Sequence, residues 1–508
     1  MTENEKQFQR LFNKALVFQS QNNTIQAIEY YSKALTLKAD HLPTIQVLAL
    51  LLQQENHLDR ALQLYQHAIE LHPHSAALHN ALANCYDQCN ELERAKTHYL
   101  HVINLRQDHA EALNNYGNIC RKLGEYDQAE ESLLAALRLR ISVETLGNLG
   151  LLMADMHKFP NALSFYDHAL RIQPDNALIQ WNKALLLLSQ GYFEQGWQLY
   201  DVGLAAGTRP RQLAHSDDAQ FDISYFHNKS VYIHSEQGIG DEIMFASCFH
   251  EIISVTSHCT IECDDRLLPL FQRAFKNAHI NAKSLAKISQ LNTMEKDIDI
   301  SISMASLPRF VRTSFADFAP QKAYLIAEER FRRCWRMRYR KVSNKFNIGI
   351  SWQGGLAEEA RKRSSELHHW ERLLKIQDVQ FINLQYGDVN SALEKYESTI
   401  KEWPDTDHFH NIEQLAAQIS ALDLVITVSN VTAHLAGALG IPVWILLPYA
   451  SNWRWFNGYN PSPWYSSAQV YRQQSPGDWP SVFKLVERDL LSVLENSKKI
   501  EFQSMSVG

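Results

Sequence analysis

Ala27, Ala61, Ala95 and Ala129 stand 34 residues apart, and no other feature constrains the fold of this 508-residue chain so strongly. Four residues after each comes Tyr31, Tyr65, Tyr99 or Leu133, and three further on comes Ala34, Ala68, Val102 or Ala136. A fifth copy arrives one residue early, at Ala162, Tyr166 and Ala169, and closes with Pro174 as the second closes with Pro73. A further small position runs through Ala15, Ala49, Ala83, Gly117, Gly150 and Ala184. The sixth copy, WNKALLLLSQGYFEQGWQLYD, replaces the alanine with Gly196-Trp197 and breaks off. Small residues let paired helices approach closely, and an aromatic ring fills the space beside them. One pair cannot bury its own apolar face, so stacked copies must share a continuous core.

This period and residue pattern is the tetratricopeptide signature. It predicts an all-α superhelix of about five and a half repeats over residues 1–204. Such a stack leaves a groove suited to an extended peptide or a partner helix. Asn80, Asn84, Asn114, Asn118 and Asn148 fall on the first helix of successive copies, and the four-residue spacings put Asn80 with Asn84 and Asn114 with Asn118 on one face. An asparagine ladder of this kind either grips the backbone of a protein acceptor or simply solvates a polar face.

Composition bounds the remaining choices. Hydrophobic residues make up 45% and charged residues 21%, as in ordinary globular proteins. A net charge of −7 offers no basic field for nucleic acid or an anionic membrane. The opening MTENEKQFQR has no apolar core of a signal peptide, and no run approaches the 18 apolar residues of a membrane span, so a cytoplasmic protein is expected. Seven scattered cysteines and 22 dispersed histidines match no metal-binding spacing, and no metal is expected.

Residues 205–228 read as a linker, after which strands and helices alternate. SVYIH is a strand, SEQGIGDE a glycine-rich turn and IMFASCFHEII a helix; CTIECDD and DIDISISMASL are further strands. A second series begins with FNIGISW and continues through HHWERLLKI, VQFINLQYGD and NIEQLAAQISAL. Alternation of this kind implies parallel sheets covered on both faces. Two Rossmann-like domains are expected, 229–345 (with a basic connector helix over Arg330–Lys345) and 346–508, paired in the two-domain arrangement called GT-B. The fold class is thus α followed by α/β.

The second domain culminates in Asp423–Trp455, DLVITVSNVTAHLAGALGIPVWILLPYASNWRW. Asp423–Val428 is a buried strand, Thr432–Leu439 a short helix ended by Gly440, and Pro442–Leu447 the next strand. The free N–H groups at such a helix start attract an anion. Ser429, Asn430, Thr432, Ala433 and His434 are therefore either a phosphate collar or an ordinary cap. In the first half, Gly238 and Gly240 permit a tight turn, and Asp241 either complements the helix dipole or takes a proton from an acceptor hydroxyl, with Glu242 as its alternative. The third glycine of a dinucleotide fingerprint is missing there, which argues against NAD. Ser351, Gln353 and Gly354 sit in the first turn of the donor half, where they can bind phosphate or ribose; Arg361, Lys362, Arg363 and Ser364 share the same loop. Gln385 and Tyr386 can read the base or ribose, or form a plain turn, and Trp453, Arg454 and Trp455 can wall the cleft or fill core. Asp297 and Asp299 form a DxD pair, but on an alternating strand rather than in a metal-binding turn.

HLAGALGIPVWILLP, followed by WRW and SPWY, resembles the C-terminal half of heptosyltransferase-type (family 9) glycosyltransferases. The closer resemblance is to bacterial proteins that fuse such a domain to tetratricopeptide repeats and glycosylate flagellin. The resemblance implies an acceptor side at 229–345 and a nucleotide-sugar side at 346–508, a catalytic base at Asp241, an Arg-Ser pair at Arg363 and Ser364 on the donor phosphate, and a flagellin acceptor recruited by the repeats. Heptosyltransferase-like members usually begin the collar with Asp, where this chain has Ser429. Losing that charge would suit an acidic donor such as a CMP-activated nonulosonic acid. The alternatives are an O-GlcNAc transferase-like enzyme with a UDP donor and a non-catalytic repeat adaptor.

Overall fold

A computed structural model describes residues 2–204, 222–285, 298–318, 323–355, 363–387 and 389–505. Arg361, Lys362, Asp297 and most of the 205–228 linker lie outside the described residues. The chain divides into two compact units, Met1–Pro174 and Asp175–Gly508.

The first unit consists of helix pairs: Glu3–Ser20 with Thr24–Leu37, Leu42–Gln54 with Leu58–Leu71, Ala76–Gln88 with Leu92–Leu105, Ala110–Leu123 with Tyr126–Leu139, and Val143–Asp155 with Phe159–Ile172. The periodic alanines and Tyr31, Tyr65, Tyr99, Leu133 and Tyr166 are buried. A methyl group added at Gly150 would lie 2.3 Å from the Tyr166 ring, and one at Gly117 2.7 Å from Leu133 Cγ. Small residue and ring are therefore a matched pair. The turns between paired helices obey the same period. Asn22, Asn56 and Asn90 hold φ of 55°, 60° and 58°, and Gly124 takes the next place at 82°. Asparagine and glycine visit this left-handed region at low cost, so each turn closes where the next helix must begin.

The sixth helix pair, Ala177–Ser189 with Phe193–Tyr200, belongs to the second unit. The reason is the Gly196-Trp197 substitution. Trp197 is buried and donates its indole N–H to the Arg312 carbonyl at 2.8 Å, while Phe193 packs edge-on to Phe315 at 4.8 Å. Gly191, at φ 80°, leaves room for Phe315, whose ring would lie 2.3 Å from an added methyl.

Two wholly parallel sheets follow. The first contains β1 (Ser230–His234), β2 (His258–Cys263), β3 (His279–Ala282) and β4 (Ile300–Ser303) in the order β3-β2-β1-β4. The second contains β5 (Phe346–Ser351), β6 (Val379–Asn383), β7 (Ile400–Lys401), β8 (Leu424–Val428), β9 (Val443–Leu447) and β10 (Ala468–Arg472) in the order β10-β9-β8-β5-β6-β7. The runs read as strands from the sequence all appear; β3, β7, β10 and the helix Trp479–Met505 were not anticipated. The expected single helix over IMFASCFHEII is two, Ile239–Phe245 and Phe249–Val255, joined by a 3-10 turn. The basic connector is the helix Glu329–Val342, anchored by buried Trp335 and Tyr339. Arg332 and Arg333 pair with Glu329, and Arg338 with Asp405. Among the described residues, no helix is long and apolar enough to cross a membrane.

Candidate functional site

Strand order places the site before any side chain is considered. In the first sheet β1 is flanked by β2 and β4, and in the second β5 is flanked by β6 and β8. The chain therefore leaves β1 and β5 at points where the order reverses, and parallel sheets open a crevice at the carboxyl ends of such strands. The turns singled out in the sequence, after β1, β5 and β8, all lie at these ends.

After β8, Asn430 caps the helix Val431–Ala438. Its Oδ1 accepts from the Ala433 N–H at 3.3 Å, while its Nδ2 donates to Ser351 Oγ at 2.7 Å and to the Gln353 carbonyl at 3.0 Å. The N–H groups of Val431 and Thr432 have no intrahelical acceptor, as at any helix start. Thr432 is fully buried, and its hydroxyl has no hydrogen-bond partner. Ser429 accepts the indole N–H of Trp455 at 2.7 Å, and that ring is fully buried in the core.

His434 lies under this helix start. Burial first, then Arg454 and Arg363, push its pKa down to about 3, so the imidazole is neutral. Its Nδ1 pairs with the Tyr465 hydroxyl at 2.8 Å, and its ring stacks on Trp455 at 5.0 Å. Gly240 faces it from the first sheet: a methyl there would stand 3.1 Å from His434 Cδ2. Glycine at this position allows the two turns to meet.

Beside Gly240, Asp241 Oδ1 lies 2.5 Å from the Arg454 guanidinium. Arg454 also donates to Gln237 Oε1 at 2.9 Å and to Asn452 Oδ1 at 2.8 Å. Gln237 holds φ 66°, a left-handed conformation that costs a non-glycine residue roughly 1 kcal/mol. Its amide reaches Tyr200 Oη at 3.2 Å and Glu236 Oε1 at 3.3 Å. Glu242, the alternative base, turns elsewhere. It is 2% exposed and accepts the Asp264 N–H at 2.8 Å, and burial raises its pKa to about 7 against that hydrogen bond.

The donor-side residues converge, though several are engaged with one another. Gln385 Oε1 accepts from Ser351 Oγ, Trp352 N and Gln353 N at 2.9, 2.9 and 2.8 Å. Gln385 and Ser351 are both buried, so this amide holds the turn after β5 in shape. The Gln353 side chain is exposed, and Gly354 N donates to Ser364 Oγ at 3.0 Å. Burial raises the Tyr386 pKa, while the Arg363 charge lowers it and also lowers that of His434.

The repeat asparagines also bond to one another. Asn148 donates to Asn114 at 3.0 Å, Asn115 to Asn84 at 3.2 Å, and Asn80 to Glu111 at 3.2 Å, while Asn118 accepts from Arg121 at 3.2 Å. Asn80, Asn84, Asn114, Asn115, Asn118 and Asn148 all remain partly exposed.

Sequence reasoning missed Tyr465, Glu236, Tyr200 and the pairing of Arg454 with Asp241. The SPWY segment and the polar Glu-Gln pair ahead of the glycines were the available signals.

Comparison with known proteins agrees with the first unit. Residues 8–41, 52–108 and 108–175 match tetratricopeptide repeat families. The chain is 27% identical over 343 residues to Protein FlbA of Caulobacter vibrioides, a match covering 64% of this chain and 57% of that protein. Solved structures similar to part of the chain include a tetratricopeptide repeat protein of Parabacteroides merdae (17% identity, 40% of this chain and 88% of that one, TM-score 0.35). A thermophilic repeat protein of Thermus thermophilus is similar at 21% identity (36% of this chain and 99% of that one, TM-score 0.30). The chain thus carries an N-terminal tetratricopeptide solenoid followed by a region of parallel sheets and helices, and it is similar to FlbA over somewhat more than half of that protein's length.

Proposed function

We propose that the second unit is a GT-B glycosyltransferase that works without a metal and modifies Ser or Thr hydroxyls of a protein held by the repeats. The observation that carries this reading is the meeting of Asp241 and Gly240, at the carboxyl end of β1, with Arg454 and His434 beside the helix start after β8. One turn offers a carboxylate and the other a set of donors for an anion. In the reaction a bond forms between the acceptor oxygen and the anomeric carbon. The bond from that carbon to the donor phosphate breaks, the phosphate leaves with the electron pair, and Asp241 takes the hydroxyl proton.

The acceptor class follows from the repeats, whose partly exposed asparagine rungs suit a peptide backbone. With the resemblance to repeat-fused flagellin transferases, they make flagellin the favoured acceptor. Ser429 in place of an acidic residue favours a donor carrying a carboxylate, a CMP-nonulosonate before a UDP- or GDP-sugar. Thermal shifts with the three donor classes separate these, and stabilisation by UDP-sugars alone would replace the CMP assignment.

The Asp241–Arg454 ion pair also favours a second reading, a non-catalytic adaptor, because a carboxylate engaged by a guanidinium at 2.5 Å is not free to meet an acceptor hydroxyl. Co-expression with flagellin decides between the two. A mass gain on flagellin that falls at least ~100-fold in rate with Asp241→Ala is expected of the enzyme. An unchanged flagellin mass with the intact protein would leave the adaptor.

A further inference from the structure

Arg454 lies in the WRW segment that the sequence left between cleft wall and core. Its guanidinium joins the two sheets, 2.5 Å from Asp241 in the first-sheet turn while anchored in the second. Arg454 is 15% exposed and Asp241 21%, so both are partly desolvated, and their attraction exceeds that of a surface pair. The guanidinium is also steadied by groups that carry no charge: Asn452 Oδ1 at 2.8 Å, Gln237 Oε1 at 2.9 Å and the Trp453 ring at 5.0 Å. These contacts would keep its planar fork in place if Asp241 moved away.

The surroundings favour an anion beside it. The positive charges of Arg454 and Arg363 both lower the His434 pKa, after burial. The imidazole stays neutral and adds no third charge. Thr432, in the first turn of that helix, is fully buried with an unpartnered hydroxyl. A buried hydroxyl without a partner costs stability unless a ligand supplies one.

We propose that Arg454 exchanges Asp241 for the donor's leaving-group phosphate, so that donor binding itself releases the carboxylate that receives the acceptor proton. This inference rests on the transferase reading and adds an order to it: donor first, acceptor second. Arg454 then serves twice, shielding an idle Asp241 and afterwards binding phosphate through a charge-assisted fork.

Calorimetric titration of the full-length protein with CMP and with UDP tests the exchange without requiring turnover. Arg454→Gln should raise the Kd of the bound nucleotide about 10-fold or more. Asp241→Asn, which frees the guanidinium with little change in shape, should lower that Kd several-fold. The tightening should vanish in the double variant, because Asp241 acts through Arg454. Arg454→Lys, which keeps the charge without the fork, should raise the Kd several-fold, and it reads the exchange if the glutamine variant does not fold. An Arg454→Gln protein that binds as tightly as the parent, or an Asp241→Asn protein that binds no more tightly, overturns the exchange and leaves the transferase reading standing. A parent protein that binds none of CMP, UDP and GDP, the last titrated in the same way, overturns both.

Discussion

The two units solve the burial of polar groups in opposite ways. In the repeats, polar contacts run between neighbours at the repeat spacing: Asn148 to Asn114 is 34 residues, and Asn115 to Asn84 is 31. Each rung resembles the last, and removing one leaves its neighbours in place. In the second unit, one amide, Gln385, accepts three donors from a strand end 32 to 34 residues away. Asn430 reaches back 79 residues to Ser351, and Arg454 reaches 217 to Gln237. A repeated rung tolerates loss, whereas a single hub does not. Repetition therefore suits an adaptable binding face, and convergence suits a site that must hold one geometry.

The largest effect should come from the hub. Gln385→Leu leaves Ser351 Oγ and two backbone N–H groups without their acceptor, and unsatisfied buried donors cost about 1–3 kcal/mol each, so a loss near 4 kcal/mol is expected. Chemical denaturation reads it directly, and a cost under 1 kcal/mol would mean that the turn after β5 is held by other means. Gly150→Val tests the packing side of the repeats. With Tyr166 2.3 Å from an added Cβ, overpacking should cost about 3 kcal/mol. Limited proteolysis should then open the first unit while cleavage of the second is unchanged, and equal opening of both would break the contrast.

Acidity should separate the units more gently. Burial chiefly lowers the pKa of both His98 and His79, that of His98 to about 4 against 6.5 with help from neighbouring histidines, while a hydrogen bond to the Pro73 carbonyl opposes the shift at His79. The folded repeats bind fewer protons than the unfolded chain in that window, so their stability declines as pH falls from 6.5 towards 4. Glu242 works in the other direction. Its folded pKa of about 7 means the folded state keeps a proton that the unfolded chain loses near 4.5, so this contribution fades as pH rises from 4.5 through 7. Glu242→Gln should therefore gain thermal stability over the parent at pH 8 and little at pH 4. A constant difference across that range would place the Glu242 proton elsewhere. Smallest of all, Asn148→Ala should cost about 1 kcal/mol, one rung of the ladder, in chemical denaturation. A loss as large as that of Gln385→Leu would show that the rungs are cooperative after all.

The repeats were legible because their contacts recur. Once Ala27, Tyr31 and Ala34 come back every 34 residues, pairing, burial and stacking follow without knowledge of distant residues. Even so, the period of Asn22, Asn56, Asn90 and Gly124 went unread, since a left-handed turn residue leaves only a faint mark beside a hydrophobic one. The sixth pair shows where periodicity misleads. Its spacing continues the series, but Trp197 takes it into the core of the second unit.

For the candidate site, residue types were visible in the sequence, and their assignments to one another were not. Gly240, Asp241, Asn430 and His434 stood out because turns at strand ends have a recognisable chemistry. Their partners were decided by how the two sheets pack: Gly240 against His434, Asp241 against Arg454, Ser429 against Trp455, and Gln385 as a brace of the turn after β5. By itself, the sequence determined periodicity, strand and helix types, and the chemistry available at each turn, all of which depend on neighbours along the chain. Which turns meet depends on contacts separated by up to 217 residues, and only the packing of the tertiary structure selects those.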